Sequence, residues 1–143
     1  MKRTIILACV MSAVSGPALA ETWNAFSHSV TTGYMADVDS IMTVDDVVSI
    51  TMAAVPLHGA AGDYTYRVDT WQFKCAAGLW RTPMSVEYGP DGASTGEYPD
   101  NSDWEPVREG GFSGALKAIA CDGARANPPT WSSIKAFIDA GRQ

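Results

Sequence analysis

Apolar residues recur with period two over much of the chain between residues 23 and 88, the spacing of strands that bury one face. Trp23 and Phe26 open the pattern, and residues 34–38 predict a short strand. Val48, Ile50 and Met52 alternate with Ser49 and Thr51, which predicts a half-buried strand over residues 47–55, ended by Pro56. Residues 57–63 are rich in Gly and Ala and read as a connection. Residues 64–75 form the longest strand candidate. In it Tyr64, Tyr66 and Val68 share one parity, and Trp71, Phe73 and Cys75 share the other. Either a bulge falls near Asp69 and Thr70, or the strand is covered on both faces at one end. Ala76, Ala77 and Gly78 supply a tight hairpin connection. The next strand sets Trp80, Met84, Val86 and Tyr88 against Arg81, Ser85 and Glu87. Pro83 cannot donate to a ladder, so it marks an edge or a bulge. Gly89-Pro90-Asp91-Gly92 is a type I turn signature.

Residues 93–111 carry little periodicity and predict a long exposed loop, with a short extended piece over residues 104–107. Long loops in compact domains are commonly functional or mobile. The period then changes. Phe112, Leu116, Ile119 and Ala120 fall on one helix face, with Ser113 as the N-cap, Gly123 as the stop and Cys121 in the last turn. After the stiff break Asn127-Pro128-Pro129, Thr130 predicts another N-cap. Trp131, Ile134, Phe137 and Ile138 form an apolar stripe on a short tail helix. That stripe either packs on its own domain or docks a second subunit as a homo-oligomer contact.

The N-terminus reads as a signal peptide over residues 1–20. Lys2 and Arg3 form the charged region, residues 4–14 the apolar region, and Ala18-Leu19-Ala20 the small-x-small cleavage site. The apolar run is too short to span a bilayer, so no transmembrane segment is expected. The alternative is lipidation at Cys9. Export places the chain in the periplasm, outside the cell or at the cell surface. Three segments follow: residues 1–20, a domain over 21–123 and a C-terminal extension over 124–143. The full chain of 143 residues has a net charge of −6, and cleavage removes two of its 10 basic side chains but none of its 16 acidic ones. Such acidity opposes nucleic-acid binding, which needs a basic face, and favours a basic protein partner. Cleavage also removes Cys9 and leaves Cys75 and Cys121. One disulfide is the simplest state of two cysteines in an exported chain. A reactive thiol or a metal-ligand pair is the alternative, although neither cysteine lies in a CxxC or near a histidine in sequence.

Candidate chemistry is sparse. His28 and His58 each stand alone among small residues, and no nucleophile elbow, phosphate loop or dinucleotide fingerprint occurs. Asp100, Asp103 and Glu105 place three carboxylates within six positions, but without the central Gly and distant Glu of an EF-hand loop. Asp45 and Asp46 read as a turn. Neither a metal nor a cofactor is expected, and the chain does not read as an enzyme. Trp23, Trp71 and Trp80 sit at strand parity and predict core. Tyr98 and Trp104 fall outside the periodic segments. They are either anchors of a binding surface, ringed by Asp100, Asp103 and Glu105, or a plug at the end of the sheet.

The order of these pieces resembles the surface-adhesin protein E family of exported bacterial proteins. The matching residues are Tyr34-Met35-Ala36-Asp37-Val38-Asp39-Ser40-Ile41, the run Trp71-Gln72-Phe73-Lys74-Cys75 and the hairpin into Leu79-Trp80-Arg81. Asp91-Gly92, Trp104-Glu105-Pro106-Val107 and Ile119-Ala120-Cys121 follow in the same order. The resemblance covers roughly residues 22–122. It implies an α+β fold in which an antiparallel β-sheet packs against a C-terminal helix, with one disulfide joining Cys75 and Cys121. It also implies a non-enzymatic adhesin that binds host extracellular proteins such as vitronectin and laminin. An alternative of another class is a periplasmic inhibitor of a basic hydrolase such as lysozyme.

Overall fold

Eight strands form one antiparallel sheet in a computed structural model that describes residues 20–143. The expected signal segment, Ala20 apart, and Cys9 lie outside the described residues. The elements are β1 (Trp23–His28), β2 (Thr32–Val44), β3 (Val47–Pro56), β4 (Tyr66–Lys74), β5 (Leu79–Tyr88), β6 (Ser94–Pro99), β7 (Glu105–Pro106), α1 (Phe112–Asp122), β8 (Thr130–Trp131) and α2 (Ile134–Asp139). The order across the sheet is β6-β5-β4-β3-β2-β1-β8, and β7 also pairs with β5. The fold is therefore α+β, an antiparallel sheet with a C-terminal helix and a Cys75–Cys121 disulfide.

Each face of the central strands is covered over part of its length. Ile50, Met52, Trp71 and Phe73 pack under α1 with Leu116 and Ile119. Ala53, Val55, Met35 and Trp23 pack under α2 with Ile134, Phe137 and Ile138. Strand β4 explains its own sequence pattern. Its pairing with β3 is regular, so Trp71 and Phe73 face α1 while Tyr66 and Val68 face α2. The apparent slip of phase is a change of buried face along one continuous strand. The bulge lies instead on β5, where Thr70 pairs with Met84 but Gln72 pairs with Arg81. The extra residue falls at Thr82 and Pro83, where the missing proline N–H makes an interrupted ladder cheap. One correction follows. Trp80 and Tyr88 do not share a face: Trp80 pairs with Phe73 on the α1 side, and Tyr88 pairs with Tyr66 on the α2 side. The Tyr66 and Tyr88 rings stack there, with centroids 4.4 Å apart.

Strand β2 is longer than its short apolar core suggests. It takes five steps from Asp37 to Met42, while β3 takes two from Thr51 to Ser49. The detour is held by polar groups. The Thr51 amide donates to Ser40 Oγ at 2.8 Å, and that hydroxyl donates to the Asp37 carbonyl at 2.7 Å. An odd number of inserted residues reverses which parity faces which side. Val44 then pairs with Val47 across Asp45 and Asp46, which make the expected turn, with Asp45 at a left-handed φ of 53°.

Helix α1 ends as its sequence says, with Gly123 at φ 74° donating back to the Ala118 carbonyl. Its start differs. Gly111 is the N-cap, and Ser113 lies inside the first turn, where its hydroxyl accepts the Arg108 amide at 3.0 Å. Gly114 allows that close passage, since a Cβ there would meet the Arg108 carbonyl at 2.5 Å. Phe112 then enters a cluster of rings, 4.8 Å from Tyr34, 5.3 Å from Phe26 and 5.7 Å from Trp71. The Cys75–Cys121 bond fastens the far end of the helix to the end of β4.

The tail is part of the same fold. Thr130 and Trp131 form β8 beside β1, so the helix cap is Ser133, whose hydroxyl accepts the Ala136 amide at 3.0 Å. The apolar stripe, expected to cover its own domain or another subunit, is buried on its own sheet. The penultimate residue closes it down. Arg142 is buried, and its guanidinium donates to the carbonyls of Pro56, Ala60 and Asp63. Three carbonyl acceptors compensate a charge that would be costly to bury bare.

Two measurements check this packing. Cys121→Ser should cost about 2–5 kcal/mol of stability in chemical denaturation, because the bond closes a loop of 46 residues in the unfolded chain. Phe137→Ala should cost about 3–5 kcal/mol while leaving the sedimentation coefficient unchanged. A change of oligomeric mass with little loss of stability would instead make α2 a docking helix.

Candidate binding surface

Asp69 is only 4% exposed, but it is fully engaged: Ser85 Oγ donates to it at 2.6 Å and Arg67 Nε at 3.2 Å. Those bonds tie β4 to β5 and occupy both carboxylate oxygens. Beside them an open trough of about 540 Å³ is lined by Tyr34, Ala54, Arg67 and Glu87, without a nucleophile and base in contact. His58 hydrogen-bonds to the Val30 carbonyl at 3.1 Å, and His28 is exposed at the end of β1. Among the described residues no three of His, Cys, Asp and Glu converge to hold a metal ion. Trp71 Nε1 is buried without a partner, inside the α1 core.

The residues expected to form a binding surface are separated. Residues 94–99 are strand β6 on the edge of β5, not loop. Tyr98, 53% exposed, pairs with Ser85, which pairs with Asp69, and this row lies on the α1 side of the sheet. Its hydroxyl reaches Glu87 at 3.4 Å, on the same side. Trp104 lies on the other side. Its ring is 4.5 Å from the Arg81 guanidinium carbon and 4.9 Å from Lys74 Nζ. Arg81 and Lys74 belong to the α2 side, since Arg81 pairs with Gln72, two residues from Lys74 on β4. The two aromatics thus face opposite ways, and one flat partner cannot use both as central anchors. The acidic ring is not formed either. Asp100 accepts the Ser102 amide at 2.9 Å, Glu105 pairs with Trp80 in β7, and Asp103 is exposed. The charges that touch Trp104 are positive.

What the α2 side does present is an uncovered stretch of sheet. Met42 pairs with Ser49, Ser49 with Gln72 and Gln72 with Arg81, so these four side chains form one row. Val44 and Val47 form part of the next, beside Lys74 and Leu79. Helix α2 does not reach this end. Met42 and Val44 are 60% and 58% exposed, and neither they nor Val47, Leu79 and Trp104 belong to a core cluster. Sequence reasoning missed Met42, Val44, Lys74 and Arg81. The available signals were aliphatics at period two running into an Asp-Asp turn, and two cations flanking the β4–β5 hairpin in an acidic chain.

Shifted ionisation occurs elsewhere and for structural reasons. Lys135 is pushed up to about 12 by its hydrogen bond to Asp139 and then by Tyr64, which keeps it charged and unreactive. The Asp139 carboxyl is held below its usual value by the same Lys135 and Tyr64. Tyr66 is raised to about 12 by burial, then by Tyr88 and Glu21. In the unfolded chain this phenol ionises near its ordinary 10, so folding is favoured by the protonated form. Stability from this group is complete below pH 10 and is lost as the pH rises from 10 to about 12. Phenolate absorbance should show one tyrosine titrating late and together with unfolding, and Tyr66→Phe should flatten the stability profile in that window.

No family model matches this chain, and no curated protein or solved structure matches it either.

Proposed function

We propose that the chain is an exported, non-enzymatic protein-binding domain of surface-adhesin E type. It would act at the cell envelope and contact an extracellular protein through the uncovered part of the α2 side. The observation that carries this reading is the pair Met42 and Val44, both more than half exposed on the side of the sheet that also carries Trp104. Exposed aliphatics grouped on one surface and bordered by polar residues are a mark of interaction sites in soluble proteins. The charged N-terminal region, the apolar run after it and the Ala18-Leu19-Ala20 site support export. So does the disulfide, which persists in oxidising compartments.

The test uses the exported chain against immobilised laminin and vitronectin, with lysozyme activity as a parallel measurement. Saturable binding to a matrix protein is expected. Met42→Asp combined with Val44→Asp should abolish most of it while circular dichroism stays unchanged. Inhibition of lysozyme without matrix binding would replace this reading with the inhibitor one. Binding that survives the double substitution in a folded protein would remove the surface assigned here.

A further inference from the structure

Resting on the binding reading above, we propose that the open part of the α2 side recognises a partner segment carrying a carboxylate among aliphatic side chains. Arg81 and Lys74 hold the carboxylate, Met42, Val44 and Val47 receive the aliphatic groups, and Trp104 is the positioning residue that fixes the two cations.

The charge arrangement carries the argument. The chain is strongly acidic, and several of its cations have found acceptors: Arg67 pairs with Asp69, Lys117 with Glu109 and Asp122, and Lys135 with Asp139. Lys74 and Arg81 have no carboxylate within ion-pairing distance among the described residues. They are nevertheless held together, on adjacent strands and over one indole ring. Two like charges gathered without a counter-ion repel each other, and the ring quadrupole offsets part of that repulsion. Arg81 is also oriented. Its Nε donates to Gln72 Oε1 at 2.9 Å, which turns the planar fork in a set direction and leaves the terminal nitrogens to a ligand. An anion bound there completes the pairing that the described residues do not supply.

The neighbouring rows say what else the ligand carries. Met42 and Val44 stand on the same side as Arg81, across β3 and β4. A protein segment that carries acidic and aliphatic side chains on the same face meets both sets at once. An anionic bilayer is a poorer fit, because attraction to its surface grows with the number of cations beside it and this patch holds only Lys74 and Arg81.

Immobilised peptides that carry Leu and Glu on the same face of an extended chain, at every second position with Ser between, test the proposal, beside matched Leu/Gln and Leu/Lys series. The full exported chain should bind the Leu/Glu series about ten-fold or more tightly than the Leu/Gln series, and the difference should shrink as salt rises. Arg81→Gln and Lys74→Gln should each remove most of that preference in a folded protein. Arg81→Lys should recover only part, because an ammonium cannot grip a carboxylate with two parallel bonds. Trp104→Leu should weaken binding of Glu peptides and leave binding of Gln peptides unchanged. Equal affinity for the Glu and Gln series would overturn the carboxylate assignment and leave the binding reading standing. No binding by any series would overturn this inference, and the binding of laminin and vitronectin decides the binding reading separately. Stronger binding to vesicles of anionic phospholipid, or a concentration-dependent mass abolished by Met42→Asp, would give the surface to a lipid or to a second copy and also overturn it.

Discussion

The β3–β4 pair carries large apolar side chains on both of its faces. Ile50, Met52, Trp71 and Phe73 project to one, and Val55, Tyr66 and Val68 to the other. Neither face can be left wet along its whole length, because burying such side chains is the main favourable term in folding. Among the described residues two helices serve this purpose, α1 of 11 residues and α2 of 6. Each face is therefore covered over part of its area only. The placement of everything else follows from which part each helix takes.

Fastening two short helices to opposite sides calls for specific devices, since helices of this length do not persist alone. Helix α1 is tied by the Cys75–Cys121 bond at one end and by Phe112 among Tyr34, Phe26 and Trp71 at the other. Helix α2 is capped by Ser133 and held by the buried Arg142, which reaches back to the connection after β3. The two tethers differ in kind. One is covalent and limits the unfolded chain, while the other is a fan of hydrogen bonds to carbonyls.

The uncovered area on the α2 side then acquires its character from interruptions in the ladder. The detour in β2 turns Met42 and Val44 to that side, and the bulge in β5 keeps Arg81 there while carrying Trp80 to the other. Trp104 arrives from the segment between β6 and β7 and lies across Lys74 and Arg81. An apolar strip and a cationic pair thus come side by side in a protein whose overall charge is negative.

Period, turn chemistry and cysteine count were enough to read part of the local structure. The strand over residues 47–55, the Asp45 and Asp46 turn, the helix face of Phe112, Leu116 and Ile119, the stop at Gly123 and the pairing of Cys75 with Cys121 are all local or nearly forced. Strand period specifies sides only within one strand. It says nothing of how one strand's sides map onto the next, and a single inserted residue reverses that mapping. For this reason Tyr98 and Trp104 looked alike in the sequence and stand on opposite sides in the fold. Residues 94–99 lack alternation because an edge strand with little buried area needs none, and only pairing with β5 makes them a strand. Met42, Val44, Lys74 and Arg81 are ordinary residues in the linear pattern. Register across four strands, decided by tertiary pairing, is what makes them neighbours.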